Sequence, residues 1–196
     1  MSQAHKDYFN RLAEEWHARM PDEPGLRDLL VRFGVTAGER ILDVGAGTGR
    51  MSRHLIDLAG EDGCVVAEDI AVRMLLDGKG RMGRPPLWVC DDVTDLAFQD
   101  GVFDRIVCFS AFPHFIDPAR ALQELNRVLV AGGRLLILHT RSSRDLNAFH
   151  ATLDGVVSDD VLPDGETLSR WIEDAGLLRE EAFDEDGFYW VTAMKP

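Results

Sequence analysis

Gly45, Gly47 and Gly49 stand at alternate positions in the stretch ILDVGAGTGR, residues 41–50. Glycine reaches backbone conformations closed to other residues and lets a ligand lie directly on the main chain. Three glycines in five positions, between an apolar run and a helical pattern, do more than turn the chain. The G-x-G-x-G spacing is one residue shorter than the G-x-G-x-x-G of a dinucleotide turn. Asp43 precedes the first glycine, and a carboxylate there opposes a pyrophosphate but suits an ammonium group. Glu68-Asp69 and Asp91-Asp92 close the next two apolar runs. An acid at the end of a second strand can accept hydrogen bonds from ribose hydroxyls. Either Glu68 or Asp69 fills that role. The carboxylates together describe a ligand with ribose and amines and no phosphate. A second reactive group consists of His114, His139 and His150, with Arg141 and Arg144. Histidine titrates near neutrality and suits proton transfer. Arginine clamps carboxylate or phosphate.

Alternating elements position these side chains. Phe9, Leu12, Trp16 and Met20 share one helical face, broken by PDEPG at 21–25. Leu26, Leu29, Leu30 and Phe33 predict a second helix ending at Gly34. Then come strand 40–44, helix 50–59, strand 64–68, and helix 71–77 followed by a glycine-rich loop, DGKGRMGRPP. Strands 87–90 and 103–109 precede a helix opened by Asp117-Pro118, an N-cap and first-turn pair. That helix stops at AGG. Strand 134–139 is apolar on both faces, as a central parallel strand is. The stretch 141–164 is irregular, with one short helix around 146–152. Helix 166–175 and strands 178–183 and 188–194, around the turn DEDG, close the chain. The acids of 180–186 read as a solvated strand edge. Strand–helix alternation predicts an α/β fold: a doubly wound, mostly parallel seven-stranded sheet with helices on both faces and an antiparallel C-terminal strand. Its ligand belongs at the carboxyl ends of the strands, at the switch point.

The 196 residues suffice for one domain with a sizeable core. A formal charge of −13 argues against nucleic acid or an anionic membrane as partner. Cys64, Cys90 and Cys108 sit in apolar runs with no CxxC, which reads as buried free thiols in a reducing compartment. No basic-then-apolar leader opens the sequence and no apolar run reaches membrane-spanning length, so the expected location is cytoplasmic. The expected state is monomer or homodimer.

ILDVGAGTG is similar to the glycine motif LDxGxGxG of class I S-adenosylmethionine-dependent methyltransferases. VVAEDIAVRML resembles that family's second motif, an acid followed by Met-Leu. DDVTDLAFQDGVFDRIVCFSAFPHF resembles its D-x-x-x-L-P-F segment, and ALQELNRVLVAGGRLLILH its L-x-E-x-x-R-V-L-K-P-G-G-x-L. The match covers about residues 40–140 and points to the small single-domain, UbiE-like type 11 kind, which acts on small molecules. It implies a Rossmann-like domain over 1–196: a helical cap (1–38), a cofactor-binding core (40–140), a substrate-side loop (141–164) and a final helix with two strands (165–196). S-adenosylmethionine is the implied cofactor. Gly45, Ala46 and Gly47, with Thr48 and Gly49, would pass under its methionine part, with Asp43 beneath. Asp69, or Glu68 beside it, would hold the ribose. Ile70 would pack on the adenine, and Asp92 with the backbone of Val93 would read its amino edge. Phe109 and Ser110 would border the sulfonium. Ala46, Ala97 and Val130-Ala131 depart from the usual residues without touching a cofactor contact.

AFPHFIDP and HTRSSRDLNAFHATLDG follow the fourth and fifth strands, so fold logic brings their histidines and arginines to the ligand edge. Four uses compete: a histidine base, with His114 favoured over His139 and His150; an arginine clamp by Arg141 and Arg144; a three-histidine metal site; or loop-pinning hydrogen bonds. Trp16 could close the pocket from the cap, as could Tyr8, although plain packing also explains both. His5 and His17 fall in the cap helices, and His54 on an exposed helix face. The expected function is methyl transfer to a small-molecule acceptor, with no resident metal. The alternatives are a nicotinamide-dependent oxidoreductase and a non-catalytic nucleotide or metal binder.

Overall fold

A computed structural model describes residues 2–20, 23–185 and 187–196. The helix break read at Pro21-Asp22, and Asp186 in the closing turn, lie outside the described residues. The strands are β1 (Arg40–Val44), β2 (Cys64–Glu68), β3 (Leu87–Val89), β4 (Phe103–Phe109), β5 (Leu129–His139), β6 (Leu178–Glu185) and β7 (Phe188–Met194). They form a seven-stranded sheet of order β3-β2-β1-β4-β5-β7-β6. The first five run parallel, and β7 lies antiparallel between β5 and β6. This is the mostly parallel, doubly wound sheet that the alternation predicts.

The helices are α1 (Gln3–Leu12), α2 (Trp16–Arg19), α3 (Leu26–Phe33), α4 (Arg50–Ala59), α5 (Val72–Arg81), α6 (Pro118–Val128), α7 (Ser143–His150) and α8 (Gly165–Asp174). Strand side chains alternate between the two faces. On one face Ile41, Val65, Val107, Phe109, Leu136 and Leu138 pack against α3 and α4 through Leu30, Phe33, Met51 and Leu55. On the other face Leu42, Val44, Ile106, Cys108, Leu135 and Ile137 pack against α6 and α8 through Leu122, Leu125, Leu168 and Ile172. A third, smaller cluster docks the N-terminal segment: Ala13, with Phe9, Leu12 and Trp16, rests on Ala71 and Met74. The β6 edge is exposed as expected, but its acids are not all left to solvent: Glu181 accepts the Trp190 indole N–H at 2.9 Å, Glu180 pairs with Arg134 at 2.8 Å, and the partly buried Asp184 accepts from the Ser143 amide at 2.7 Å.

Several boundaries differ from the sequence reading. Helix α5 runs on to Arg81 through DGKG, where a loop is expected. A Cβ on Gly78 would lie 2.6 Å from the Thr48 carbonyl oxygen and 2.8 Å from Trp88, so this glycine serves close packing rather than a break. Strand β5 begins at Leu129 rather than 134 and bulges through AGG, where Gly132 has φ 75° and the β4–β5 register shifts. The first helix ends at Leu12, and a tight turn over Ala13–Glu15 leads into α2. Helix α7 begins at Ser143, capped by the Ser142 side chain. Cys90 is exposed, not buried, because the short strand β3 stops before it.

The two glycines near the end of α5 separate propensity from packing. A Cβ on Gly80 would meet nothing within 4 Å. Gly80→Ala should therefore stabilise the fold by about 0.5–1 kcal/mol. Gly78→Ala should destabilise it despite the same propensity gain. Urea unfolding of both variants checks this; a stabilised Gly78→Ala would contradict the packing account.

Candidate functional site

The strand order reverses between β1 and β4, so the loops leaving these strands diverge and open a cleft. Gly45 turns the chain out of β1 at φ 64°, and a Cβ there would fall 2.4 Å from Ala111 Cβ in the loop after β4. Bare backbone is thus required where the two loops meet. Ser110, at φ 56°, is the one non-glycine residue with positive φ among those described. The cleft encloses about 620 Å³, part of it open to solvent. Its walls include Asp43, Gly45, Ala46, Gly47, Asp69, Phe109, Ser110 and His114, all singled out by sequence. Phe9, Trp16 and Met20 cover it from the N-terminal segment.

Other expected residues fall outside these walls. Thr48 is buried beside Gly78, and Gly49 caps α4 in the left-handed conformation. Glu68 shares the β2 face of Val66, on the α6 side of the sheet, while Asp69 lines the cleft. Ile70 lies two residues past β2 and Val93 four past β3, and Cys90 Sγ contacts the Ile70 carbonyl at 3.5 Å. The Asp92 carboxylate accepts from the Thr94 amide at 3.0 Å and hydroxyl at 2.8 Å. Arg141 stacks over Phe149 at 4.2 Å, and the largely exposed Arg144 pairs with Asp145 at 3.3 Å. Tyr8 packs edge-on against Phe9.

Burial governs the acids. It lifts the Asp43 carboxyl to about 7, against the bond from Ser52 Oγ at 2.5 Å. It lifts Asp69 to about 6, against the amides of Ala71 at 2.7 Å and Gly47 at 2.9 Å. Glu68 is raised well above its ordinary range by burial and by the neighbouring Asp69. A ligand that brings an ammonium group and hydroxyl donors relieves these carboxylates, whereas a phosphate adds to their repulsion. The residues present therefore fit an aminoacyl nucleoside.

The histidines meet at a residue with no motif of its own in the sequence, Asp160. It accepts from His5 Nε2 at 2.9 Å and lies 2.5 Å from His114 Nδ1, and its carbonyl meets His150 Nδ1 at 2.9 Å. His114 and His150 stack at 5.5 Å, and Phe9 meets His114 edge-on at 5.0 Å. Burial raises the Asp160 carboxyl, but its bonds and charge contacts with His114 and His5 outweigh that and hold it below the usual range. His139 shares the β5 face of Leu135 and Ile137, away from the cleft, packed edge-on to Tyr189. Burial, with the nearby His114 and His150, lowers it to about 3, so it stays neutral. Burial also lowers His150. His5, His114 and Asp160 hold the ligand-type atoms that could grip a metal, all within 4.8 Å of one another. Arg50, Met20, His5 and Asp160 are the site residues that sequence reasoning does not pick out. Only the cap pattern around Phe9 and Trp16 hints at covering residues.

Comparison with known proteins agrees with this geometry. A family model described as a methyltransferase domain matches residues 42–137. A demethylmenaquinone methyltransferase of Clavibacter sepedonicus is 35% identical over 169 residues, 74% of this chain and 68% of that protein. A ubiquinone/menaquinone biosynthesis C-methyltransferase of Hahella chejuensis is 31% identical, over 78% of this chain and 74% of its own. Among solved structures, an S-adenosylmethionine-dependent methyltransferase of Aquifex aeolicus superposes with a TM-score of 0.74 at 22% identity, covering 97% and 98% of the two chains. The [4+2]-cyclase SpnF superposes at 0.69 and 20% identity, covering 87% and 80%. These two likenesses show the fold, and the cyclase demonstrates that the fold alone does not fix the reaction. The glycine motif in its place between β1 and α4, the matched domain and the relatives together make this chain a member of the class I S-adenosylmethionine-dependent methyltransferases of the UbiE-like, type 11 kind, with S-adenosylmethionine as its cofactor.

Proposed function

We propose that this methyltransferase acts on a small aromatic acceptor bearing an ionisable hydroxyl, with His114 as the general base and Asp160 as the residue that orients it. The observation that carries this reading is the placement of His114. It lines the cleft beside Phe109 and Ser110 while its Nδ1 is held by Asp160 at 2.5 Å, which leaves Nε2 for the acceptor. Phe9, Trp16 and Met20 offer apolar and aromatic surface to a flat ring. The relatives named for demethylmenaquinone and for ubiquinone/menaquinone biosynthesis support an acceptor of the hydroxylated quinone class.

Bound S-adenosylmethionine supplies an electrophilic methyl group on a sulfonium. In this reading Gly45, Ala46 and Gly47 lie under its methionine part, Asp43 faces its ammonium and Asp69 its ribose. The adenine end extends toward Ile70, Asp92 and Val93, and Phe109 and Ser110 border the sulfonium. His114 Nε2 would take the proton from the acceptor's hydroxyl, leaving that oxygen as the nucleophile for the methyl group that the cofactor would supply. The Asp160 carboxylate beside Nδ1 would stabilise the imidazolium so formed. The cap over 1–38 and the segment 141–164 position the acceptor and exclude water. We place this chemistry in the cytoplasm, in one domain spanning 1–196, as monomer or homodimer; the acidic balance and three free cysteines support that setting.

With a naphthoquinol or related hydroxylated aromatic acceptor, His114→Ala should lower kcat by roughly a hundredfold or more while cofactor affinity holds. Asp160→Asn should lower kcat while cofactor affinity holds, because the imidazolium loses its counter-charge. An unchanged rate in His114→Ala, or activity that demands an added divalent metal, would contradict the base assignment.

Asp43 gives a separate pH signature. Its carboxyl, at about 7 in the free protein, must be ionised to face an ammonium. Cofactor affinity should therefore rise as pH climbs from about 6 to 8, with proton release on binding. Titration calorimetry in buffers of different ionisation heat reads both, and Asp43→Asn should flatten the response.

A further inference from the structure

Three segments far apart in the chain bring His5, His114 and Asp160 to one point. His5 comes from α1, His114 from the short turn over Phe112–His114 after β4, and Asp160 directly follows the turn over Val156–Asp159. One oxygen of the Asp160 carboxylate faces His5 Nε2 at 2.9 Å, and the other faces His114 Nδ1 at 2.5 Å. No lysine or arginine pairs with this carboxylate among the described residues, so its charge is met by two imidazoles. Behind His5, Ser2 Oγ lies 2.7 Å from Nδ1. Metal-bound histidines are held in this way, with the outer ring nitrogen bonded to a polar group that fixes ring and tautomer. Among the described residues this is the one gathering of three histidine, cysteine or acidic side chains whose ligand atoms lie within 4.8 Å of one another. His114 lines the cleft, so an ion can reach the group from there.

We propose that His5, His114 and Asp160 form a binding site for a zinc-like divalent ion, and that the ion switches the enzyme off. Two imidazoles and one carboxylate suit zinc and leave a fourth, tetrahedral position for water. Magnesium and calcium prefer oxygen ligands throughout. Ligand atoms around tetrahedral zinc stand about 3.3 Å apart. The two Asp160 contacts therefore open slightly and the imidazoles draw together to admit the ion. The ion takes a lone pair on His114 Nδ1. The proton on Nδ1 passes to solvent and Nε2 takes one up, so the neutral ring turns an N–H toward the acceptor. A ring in that state cannot accept the hydroxyl proton. His5 likewise turns its Nδ1–H toward Ser2 Oγ and its Nε2 lone pair toward the ion. The ligands also tie the cap and the segment 141–164 to the loop after β4. The metal site stands on the cluster itself, whereas the switching-off rests on His114 being the base, as proposed above.

Calorimetric titration of the full chain, purified without a histidine tag, with zinc chloride reads the site. The wild type should bind one equivalent and gain in Tm. His5→Ala and Asp160→Asn each remove a ligand and should weaken zinc by roughly tenfold or more, at least the effect of losing an outer-shell partner. His17→Ala, in the cap but outside the cluster, should bind zinc as the wild type does. Should the ligand variants fail to fold, cobalt(II) added to the wild type serves instead. One equivalent should give the visible absorption of a four-coordinate site, and zinc should displace it. Zinc should also inhibit methyl transfer in step with occupancy, and a chelator should restore the rate. Undiminished zinc affinity in both ligand variants, or a wild type that binds neither zinc nor cobalt(II), would overturn the site. Zinc held by these ligands with turnover unchanged would overturn the switching-off, and with it the role of His114 as base, while the site stands.

Discussion

The reversal of strand order between β1 and β4 is the constraint on which the rest of the molecule depends. Crossovers that leave neighbouring strands in opposite directions cannot fill the space between them, and a cleft remains at the carboxyl ends. The sequence meets this gap with bare backbone. Gly45 lets the β1 loop touch Ala111 in the β4 loop, so the floor of the cleft is main chain and the walls are side chains. Several side chains that line the cleft come from elements anchored at that point. Asp43 and Phe109 enter from strand ends, Arg50 from α4, and His114 from the short turn after β4.

Electrostatics follow from the same geometry. Strands that end in acids beneath a buried loop produce carboxylates whose ionisation burial opposes. Such a site favours ligands that bring positive charge and hydroxyl donors, which are what the cofactor's ammonium, sulfonium and ribose provide. On the acceptor side the sign is inverted. There Asp160 sits among His5, His114 and His150, and its bonds to His114 and His5 hold its carboxyl below the ordinary range. One end of the cleft thus carries buried acids, and the other carries histidines gathered on one carboxylate.

Much of this is legible in the residues. The apolar runs of β1 and β2 and the helix over 50–59 declare their own boundaries, because each is bounded by glycine or acid. Helix α5 outruns its expected end because Gly78 and Gly80 look alike in sequence, and only the approach of the Thr48 carbonyl distinguishes a packing glycine from a breaker. His139 carries its placement in the alternation of its own strand. It stands an even number of residues from Leu135 and Ile137, which puts it on the α6 face, away from the cleft. Asp160 and His5 leave no local trace. They are 155 residues apart, and their meeting depends on how α1 docks against the turn over Val156–Asp159. Arg50 is hidden for a different reason, since an arginine opening a helix usually points to solvent, and here Phe109 and Glu23 turn it inward.

The glycine cleft suits an aminoacyl nucleoside and not a dinucleotide. Parallel calorimetric titrations of the purified chain with S-adenosylmethionine, its demethylated product and NAD test it most directly. Saturable binding of the first two, with none of the third, is the expected result. Binding of NAD alone would contradict the account, because it would put a pyrophosphate against Asp43 and Asp69.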